Sequence, residues 1–165
     1  NLNDNIPTTI DNFNNHHSKY LQKFLINKLK NKKLKIGILG LAYKIGTPLI
    51  TKSFSINLIK SILPHSKIII GYDPLVSRNI EKKINSKKFN ITNNIKELKK
   101  CDVIIITQPF LNIDYKIFSK KIIVDLWRVI KNKDIVKSKN YINFGNSTNK
   151  DTSIKFKDKI KKIIK

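Results

Sequence analysis

The chain has 165 residues, 40% of them hydrophobic, which is one domain's worth of sequence with enough apolar content for a core. It carries 34 Lys and Arg against 11 Asp and Glu, for a formal net charge of +23, and a single cysteine, Cys101. One thiol excludes an internal disulfide framework and fits a reducing, cytoplasmic compartment, and no apolar run approaches the ~18 residues a membrane helix needs.

The charge raises the question of a polyanionic partner. All but two of the basic residues are lysine, the exceptions being Arg78 and Arg128. Lys, Asn and Ile together fill about half of the chain, far above ordinary usage. These three residues share A- and T-rich codons, so a biased genome explains the charge without selection for nucleic acid. Arginine is the side chain that grips phosphates and bases bidentately, and a dedicated binder would use more of it. A solvated lysine surface is the favoured reading, and a lysine-rich nucleic-acid-binding module is the alternative. The chain has no Met and opens on the polar stretch NLNDNIPTTIDNFNN. Such a start is unlike a signal peptide and is expected of a fragment.

In chain order, residues 1–15 read as loop or frayed end. From about His16 to Lys30, Leu21, Phe24, Leu25 and Leu29 form an apolar helical stripe. Ile36 to Leu39 is a strand, followed by a long loop over residues 40–52. Ser53 can cap a helix carrying Phe54, Ile56, Leu58, Ile59, Ile62 and Leu63, stopped by Pro64. Ile68 to Tyr72 is a strand ending at Asp73 and Pro74. A short helix follows near Arg78 to Ile84, then a strand at Phe89 to Ile91. Asn93 or Asn94 can cap the helix IKELKK. Val103 to Thr107, Ile122 to Leu126 and residues 141–144 are further strands, and a basic helix is expected at Ile154 to Lys165.

Continuous Ile/Val runs separated by helical segments indicate parallel strands buried on both faces. The predicted fold is therefore α/β: a doubly wound, mainly parallel, Rossmann-like sheet with helices on both faces. The expected divisions are residues 1–33 as an N-terminal loop and the end of a linker helix, 34–148 as the sheet domain and 149–165 as a basic tail helix.

In such a sheet, ligands bind beyond the carboxyl ends of the strands, where the strand order reverses. That places the 40–53 loop, Asp73, the Thr107 to Phe110 turn and the Asp125 to Arg128 segment at the candidate site. The glycines at 37, 40 and 46 do not have the G-x-G-x-x-G spacing of a dinucleotide fold, which disfavours a stand-alone NAD(P)-binding domain. Gly40 lets backbone approach a ligand closely. Lys44 is placed either to meet a phosphate or sugar hydroxyl or to be one more solvated lysine. Asp73 either holds ribose hydroxyls or begins an Asp-Pro turn. Trp127, the only tryptophan, either stacks on a ligand ring or packs at the edge. Arg128 is informative because arginine is so scarce here. Cys101 precedes a strand, at the sheet's other end, and reads as a buried structural residue. His16, His17 and His65 have no metal-ligand spacing, and no catalytic triad or carboxylate pair is visible.

The segments KIGILGLAYKIGT with its Ser-headed helix, then GYDP, CDVIIIT, IVDLWRV and YINFG, occur in an order that resembles the C-terminal, UDP-binding domain of the UDP-glucose/GDP-mannose dehydrogenase family. The stretch NFNNHHSKYL is similar to the end of the long central helix joining that family's two halves. The resemblance implies an oxidoreductase that converts the C6 hydroxyl of a nucleotide sugar to a uronic acid with two NAD molecules. In such an enzyme the N-terminal half would bind NAD and the catalytic cysteine would lie between the halves; the resemblance further implies a UDP-sugar as substrate and a homo-oligomer for the full-length enzyme. Within the G-L-A-Y-K-x-G-T loop, the resemblance carries over Gly40, Tyr43 and Lys44 as substrate-binding, with Asp73 as a further candidate. Either Trp127 or Arg128 takes the place of a substrate-contacting arginine. The loop departs from the family's pattern at PLITK, residues 48–52, where acidic residues and an arginine are usual.

Overall fold

The computed structural model describes residues 5–29 and 33–143. The expected tail helix over Ile154 to Lys165 lies outside them.

Among the described residues six parallel strands form one sheet: β1 (Leu34–Leu39), β2 (Ser66–Tyr72), β3 (Phe89–Thr92), β4 (Val103–Ile106), β5 (Ile122–Asp125) and β6 (Tyr141–Asn143). Their order is β3-β2-β1-β4-β5-β6, so the chain runs outward from β1 in one direction, then returns to β4 and runs out in the other. The switch point lies between β1 and β4, where Ile36 pairs with Val103 and Leu39 with Ile106. The doubly wound parallel architecture expected from the unbroken Ile/Val runs is the one observed. β4 and β5 are buried along their whole length, as strands covered on both faces must be.

Alternate side chains enter two separate cores. On one face Ile36, Ile38, Val103 and Ile105 pack with Ile56, Ile59 and Ile62 of α2 (Phe54–Ile62) and with Leu25 of α1 (Asn5–Leu29). On the other, Ile104, Ile106 and Ile123 meet Leu98, Tyr115 and Phe118. The segments bringing those last three residues are 3₁₀ turns, Ile95–Lys100 and Tyr115–Phe118, rather than the full helix expected for IKELKK. Asn94 caps the first of them by accepting from the Lys96 amide at 3.1 Å. Among the described residues there are also two short helices, α3 (Asn79–Ile84) and α4 (Lys133–Lys137), the second without a signal in the sequence pattern.

The helix of α1 begins at Asn5, ten or so residues before the apolar stripe that marks it in the sequence. Asn and Thr are weak helix formers, but the differences are only a few tenths of a kcal/mol per residue and a helix already nucleated propagates through them. Its carboxyl half packs on α2. Leu21 and Leu25 are buried there, and Ser61 of α2 donates to the Gln22 side chain at 2.9 Å. Among the described residues no helix is long and apolar enough to cross a membrane.

Candidate functional site

The carboxyl edge of the sheet is organised around the loop that leaves β1. Gly40 has φ +105°, and a Cβ there would lie 2.6 Å from the Cβ of Gln108, the second residue after β4. No other residue allows this backbone so near the β4 turn. Leu41 then tucks its side chain into the core over Gly71, where an added Cβ would meet it at 2.9 Å. The β1 and β4 turns are thus interlocked at the switch point.

Four buried polar side chains pin the loop's base. The Asp73 carboxylate accepts from the Leu41 amide at 2.9 Å and the Ala42 amide at 3.1 Å through one oxygen, and from the Leu75 amide at 3.0 Å through the other. The Thr107 hydroxyl lies 2.9 Å from the Leu39 carbonyl and 2.6 Å from that of Gly40. Gln108 donates its amide to the Ala42 carbonyl. Ser53 stands at the N-cap of α2, as expected, but makes no capping bond; its hydroxyl donates to the Leu41 carbonyl at 2.7 Å. The hydroxyl is drawn to the loop because Leu41 has a buried carbonyl and nothing else to satisfy it.

Asp73, expected either at a ribose hydroxyl or in an Asp-Pro turn, is therefore turned inward. It is 4% exposed and spends its lone pairs on backbone amides. Thr107 lies in the turn that the sequence places at the edge, yet neither it nor Gln108 stands out there as a pinning residue. A polar pair following a buried strand was the only signal.

The outer part of the loop is exposed. Tyr43 is 62% accessible, although its amide donates to the Leu49 carbonyl at 2.6 Å. The next turn closes when the Thr47 hydroxyl donates to the Lys44 carbonyl at 2.9 Å. Lys44 is exposed on this turn, and among the described residues its ammonium makes no ion pair.

On the other side of the switch point, β5 ends at Asp125, whose buried carboxylate organises the following turn. It accepts from the Trp127 amide at 3.1 Å, the Ile130 amide at 3.1 Å and the Tyr141 hydroxyl at 2.9 Å. Burial and the Asp125 charge raise the Tyr141 phenol well above its ordinary range, with Arg128 opposing them, so the phenol keeps its proton and donates. The tight turn puts Arg128 at φ +51°, an uncommon conformation for a side chain of this size. Trp127 donates its indole N–H to the Thr107 carbonyl at 2.8 Å while the rest of its ring stays largely exposed. Thr107 consequently ties the β1 loop to Trp127, so Gly40, Tyr43, Lys44, Trp127 and Arg128 share one edge.

Two depressions open on it. The larger, about 700 Å³, lies between Ile45, Tyr72 and Pro74 and the turn formed by residues 109–113. The smaller, about 270 Å³, lies beside the ends of β2 and β3 and includes Arg78 and Thr92.

The amides of this turn are already engaged. A bound dinucleotide is held differently. Its pyrophosphate needs free amides in a glycine turn leading straight into a helix. Here the Leu41 and Ala42 amides are taken by Asp73 and that of Tyr43 by Leu49, and α2 begins only at Phe54. Cys101 offers no nucleophile either. It is fully buried at the amino end of β4, and burial, helped by Asp102, pushes its thiol up to about 12. Among the described residues no group of His, Cys, Asp and Glu could hold a metal ion.

The sequence pattern of the UDP-glucose/GDP-mannose dehydrogenase family, UDP binding domain, matches residues 37–132. The chain belongs to this family. Two similar proteins are the UDP-glucose 6-dehydrogenases of Rickettsia felis, 28% identical over 110 residues, and Rickettsia bellii, 31% identical over 108. The matches take in 62% and 61% of the chain but only 25% of each relative, so the chain spans about a quarter of their length. The fold also resembles a GDP-mannose dehydrogenase from Pseudomonas aeruginosa, with TM-score 0.60 and 16% identity, over 82% of this chain and 33% of that one. A UDP-D-ManNAc dehydrogenase from Pyrococcus horikoshii superposes with TM-score 0.58 and 21% identity, over 76% and 30%. The family's matched region contains the β1 loop, Asp73, Thr107, Gln108 and the Asp125 turn, all the elements that build the edge.

Proposed function

We propose that this chain forms the UDP-sugar seat of an NAD-dependent nucleotide-sugar 6-dehydrogenase. Such an enzyme oxidises a UDP-hexose or UDP-N-acetylhexosamine to its uronic acid in the cytoplasm as a homo-oligomer. NAD and the reacting cysteine are assigned to parts of the enzyme outside these 165 residues. The chain on its own binds but does not oxidise.

The observation that carries this reading is the β1 loop: its inner amides are consumed by Asp73 while Lys44 lies exposed on the outer turn. A loop built this way has lost the cradle for a dinucleotide pyrophosphate and gained a cation for a single diphosphate or a sugar hydroxyl. The turn after β5 adds Arg128 and the exposed face of Trp127 from the opposite side. An excess of positive charge across the surface draws an anionic nucleotide sugar toward the edge.

Isothermal titration of the chain with UDP, UDP-glucose and NAD tests the proposal. UDP and UDP-glucose are expected to bind and to raise the unfolding midpoint, because a ligand that binds only the native state stabilises it. Binding of NAD with no binding of either uridine nucleotide would overturn it.

A further inference from the structure

The edge opposite the candidate site has a pattern of its own. In a parallel sheet every strand enters from the same side, so the amino ends of β3-β2-β1-β4-β5-β6 form one row. Neighbouring entries are held side by side: the Ile69 amide donates to the Lys88 carbonyl at 2.7 Å, and the Ile122 amide to the Asp102 carbonyl at 3.2 Å. An exposed lysine stands close to the start of each strand: Lys33, Lys67, Lys88, Lys100, Lys120 and Lys139 for β1 to β6 respectively. The same Ser-Lys-Lys triplet, residues 86–88 and 119–121, leads into β3 and β5. The carboxyl edge has nothing comparable. The triplets that directly follow β1 to β5 read GLA, DPL, NNI, TQP and LWR, without a lysine. Codon bias sets how many lysines a chain carries, but it is blind to strand direction.

These ammonium groups meet few acids. Among the described residues the one ion pair along this edge joins Lys100 to Glu97, and Asp102 spends a carboxylate oxygen on the Lys35 amide at 2.9 Å. Neighbouring strands lie about 4.8 Å apart, so the row is about 24 Å long and its like charges repel one another. A bridging polyanion relieves that repulsion.

The row is also curved. A twist of about 20–25° per strand turns its two ends through roughly 100°. A planar bilayer meets only part of such a ramp, and a duplex is too stiff to follow it over this length, whereas a flexible chain can. The exposed apolar side chains of Tyr43, Leu49, Leu75, Leu111 and Trp127 all come after strands, which leaves the amino edge to charge rather than to the apolar anchors of a protein partner. Lysines without arginine forks contact phosphates but do not read bases. We propose that the amino edge of the sheet binds the sugar–phosphate backbone of a single-stranded nucleic acid. The contact is independent of base sequence and of the nucleotide site on the opposite edge.

The test uses the full 165-residue chain and a fluorescein-labelled oligothymidylate, with binding read by anisotropy across a salt series. Phosphate contacts from all the lysines of the row give a log–log salt slope of about −4 on a single strand. Lys67→Gln, Lys88→Gln and Lys120→Gln combined should weaken binding at least about tenfold and bring the slope to about −2. Removing the same charge elsewhere, with Lys96→Gln, Lys131→Gln and Lys133→Gln combined, should leave the slope unchanged. A melting curve on each variant confirms that it is folded. Excess UDP should leave the oligonucleotide bound. Equal losses in the two variants would show that total charge, not this edge, holds the strand, and would overturn the proposal. Displacement by UDP, or no binding even at low salt, would overturn it as well. So would sedimentation with phosphatidylserine vesicles in place of oligonucleotide binding, which would assign the row to a lipid surface.

Discussion

Replacing Asp73 with alanine should unpin the β1 loop and destabilise the domain. The carboxylate is buried and accepts from three backbone amides, two of which, Leu41 and Ala42, belong to residues that are themselves buried. Without it those two donors lose their partner, and water cannot reach them while Leu41 stays packed over Gly71. Each unsatisfied buried donor costs about 1–3 kcal/mol, so the pair costs about 2–6 kcal/mol. The Leu75 amide belongs to an exposed residue and recovers its bond from water. Against a typical domain stability of about 5–15 kcal/mol this is a large fraction, and a loss of about 4 kcal/mol lowers the melting temperature of a chain this size by ~8–16 °C. Asp73→Asn should fall between the two, since one carboxamide oxygen still accepts while the NH₂ group opposes a donor. Urea unfolding followed by circular dichroism measures the change, with the slope checked for constancy. If Asp73→Ala unfolds within about 0.5 kcal/mol of the wild type, the surface-substitution range, then Asp73 does not hold the loop.

Gly40→Ala should cost about 2–4 kcal/mol in the same assay, combining a left-handed backbone with a Cβ forced into Gln108; an unchanged midpoint would mean the two turns are not interlocked. Lys44→Ala should leave the melting curve unmoved, because the side chain is exposed, while UDP affinity drops about tenfold, the value of one charge-assisted contact. Equal UDP affinity in the variant would remove Lys44 from the site. Cys101 should resist a thiol-reactive chromophore in the native state and react on unfolding. Its folded-state pKa, about 12, exceeds its ordinary value of 9.0, so between those values the unfolded chain releases a proton that the native chain keeps. Stability is then fully present below pH 9 and falls as pH rises toward 12. Cys101→Ala should flatten that part of the alkaline unfolding profile, and an identical slope in both proteins would contradict the assignment.

The legible parts of this sequence are those in which a single pattern has a single structural meaning. VIII at 103–106 and IIVD at 122–125 can be buried parallel strands and little else, and once they are placed, the sheet's carboxyl edge follows. That alone brought Gly40, Lys44, Trp127 and Arg128 to one edge without any contact being known. The illegible parts are residues whose role depends on a distant partner. Asp73 before a proline serves equally as a ribose ligand or a turn former, and the approach of the Leu41 and Ala42 amides, thirty-odd positions earlier, is not written in that pattern. Gln108 and Ser53 are opaque for the same reason. IKELKK has helical periodicity, yet it spans only the short distance between β3 and β4 and closes as a 3₁₀ turn, where geometry between strands outweighs propensity.

The Asp73 clamp also explains how a Rossmann-like sheet can serve a nucleotide other than a dinucleotide without altering its topology. The strand order still produces a switch point, and the first turn still approaches β4 at a glycine. What differs is that an acid at the end of β2, instead of facing a bound ribose, has turned to the turn's own amides. Once those donors are satisfied internally, the inner loop no longer attracts phosphate, and the next available positive charge is on Lys44, farther out on an exposed turn. On the reading proposed above, the ligand is displaced outward by the same step, toward Trp127 and Arg128 at the β5 turn. Breaking the clamp should then do more than destabilise the fold. Where Asp73→Ala remains folded at low temperature and the unpinned loop lifts Leu41 off Gly71, the Leu41 and Ala42 amides become accessible, so its affinity for inorganic pyrophosphate should rise while its affinity for UDP falls. Calorimetry at 10 °C with both ligands reads the two changes together, and a parallel loss of both would show that the freed amides do not form an anion cradle.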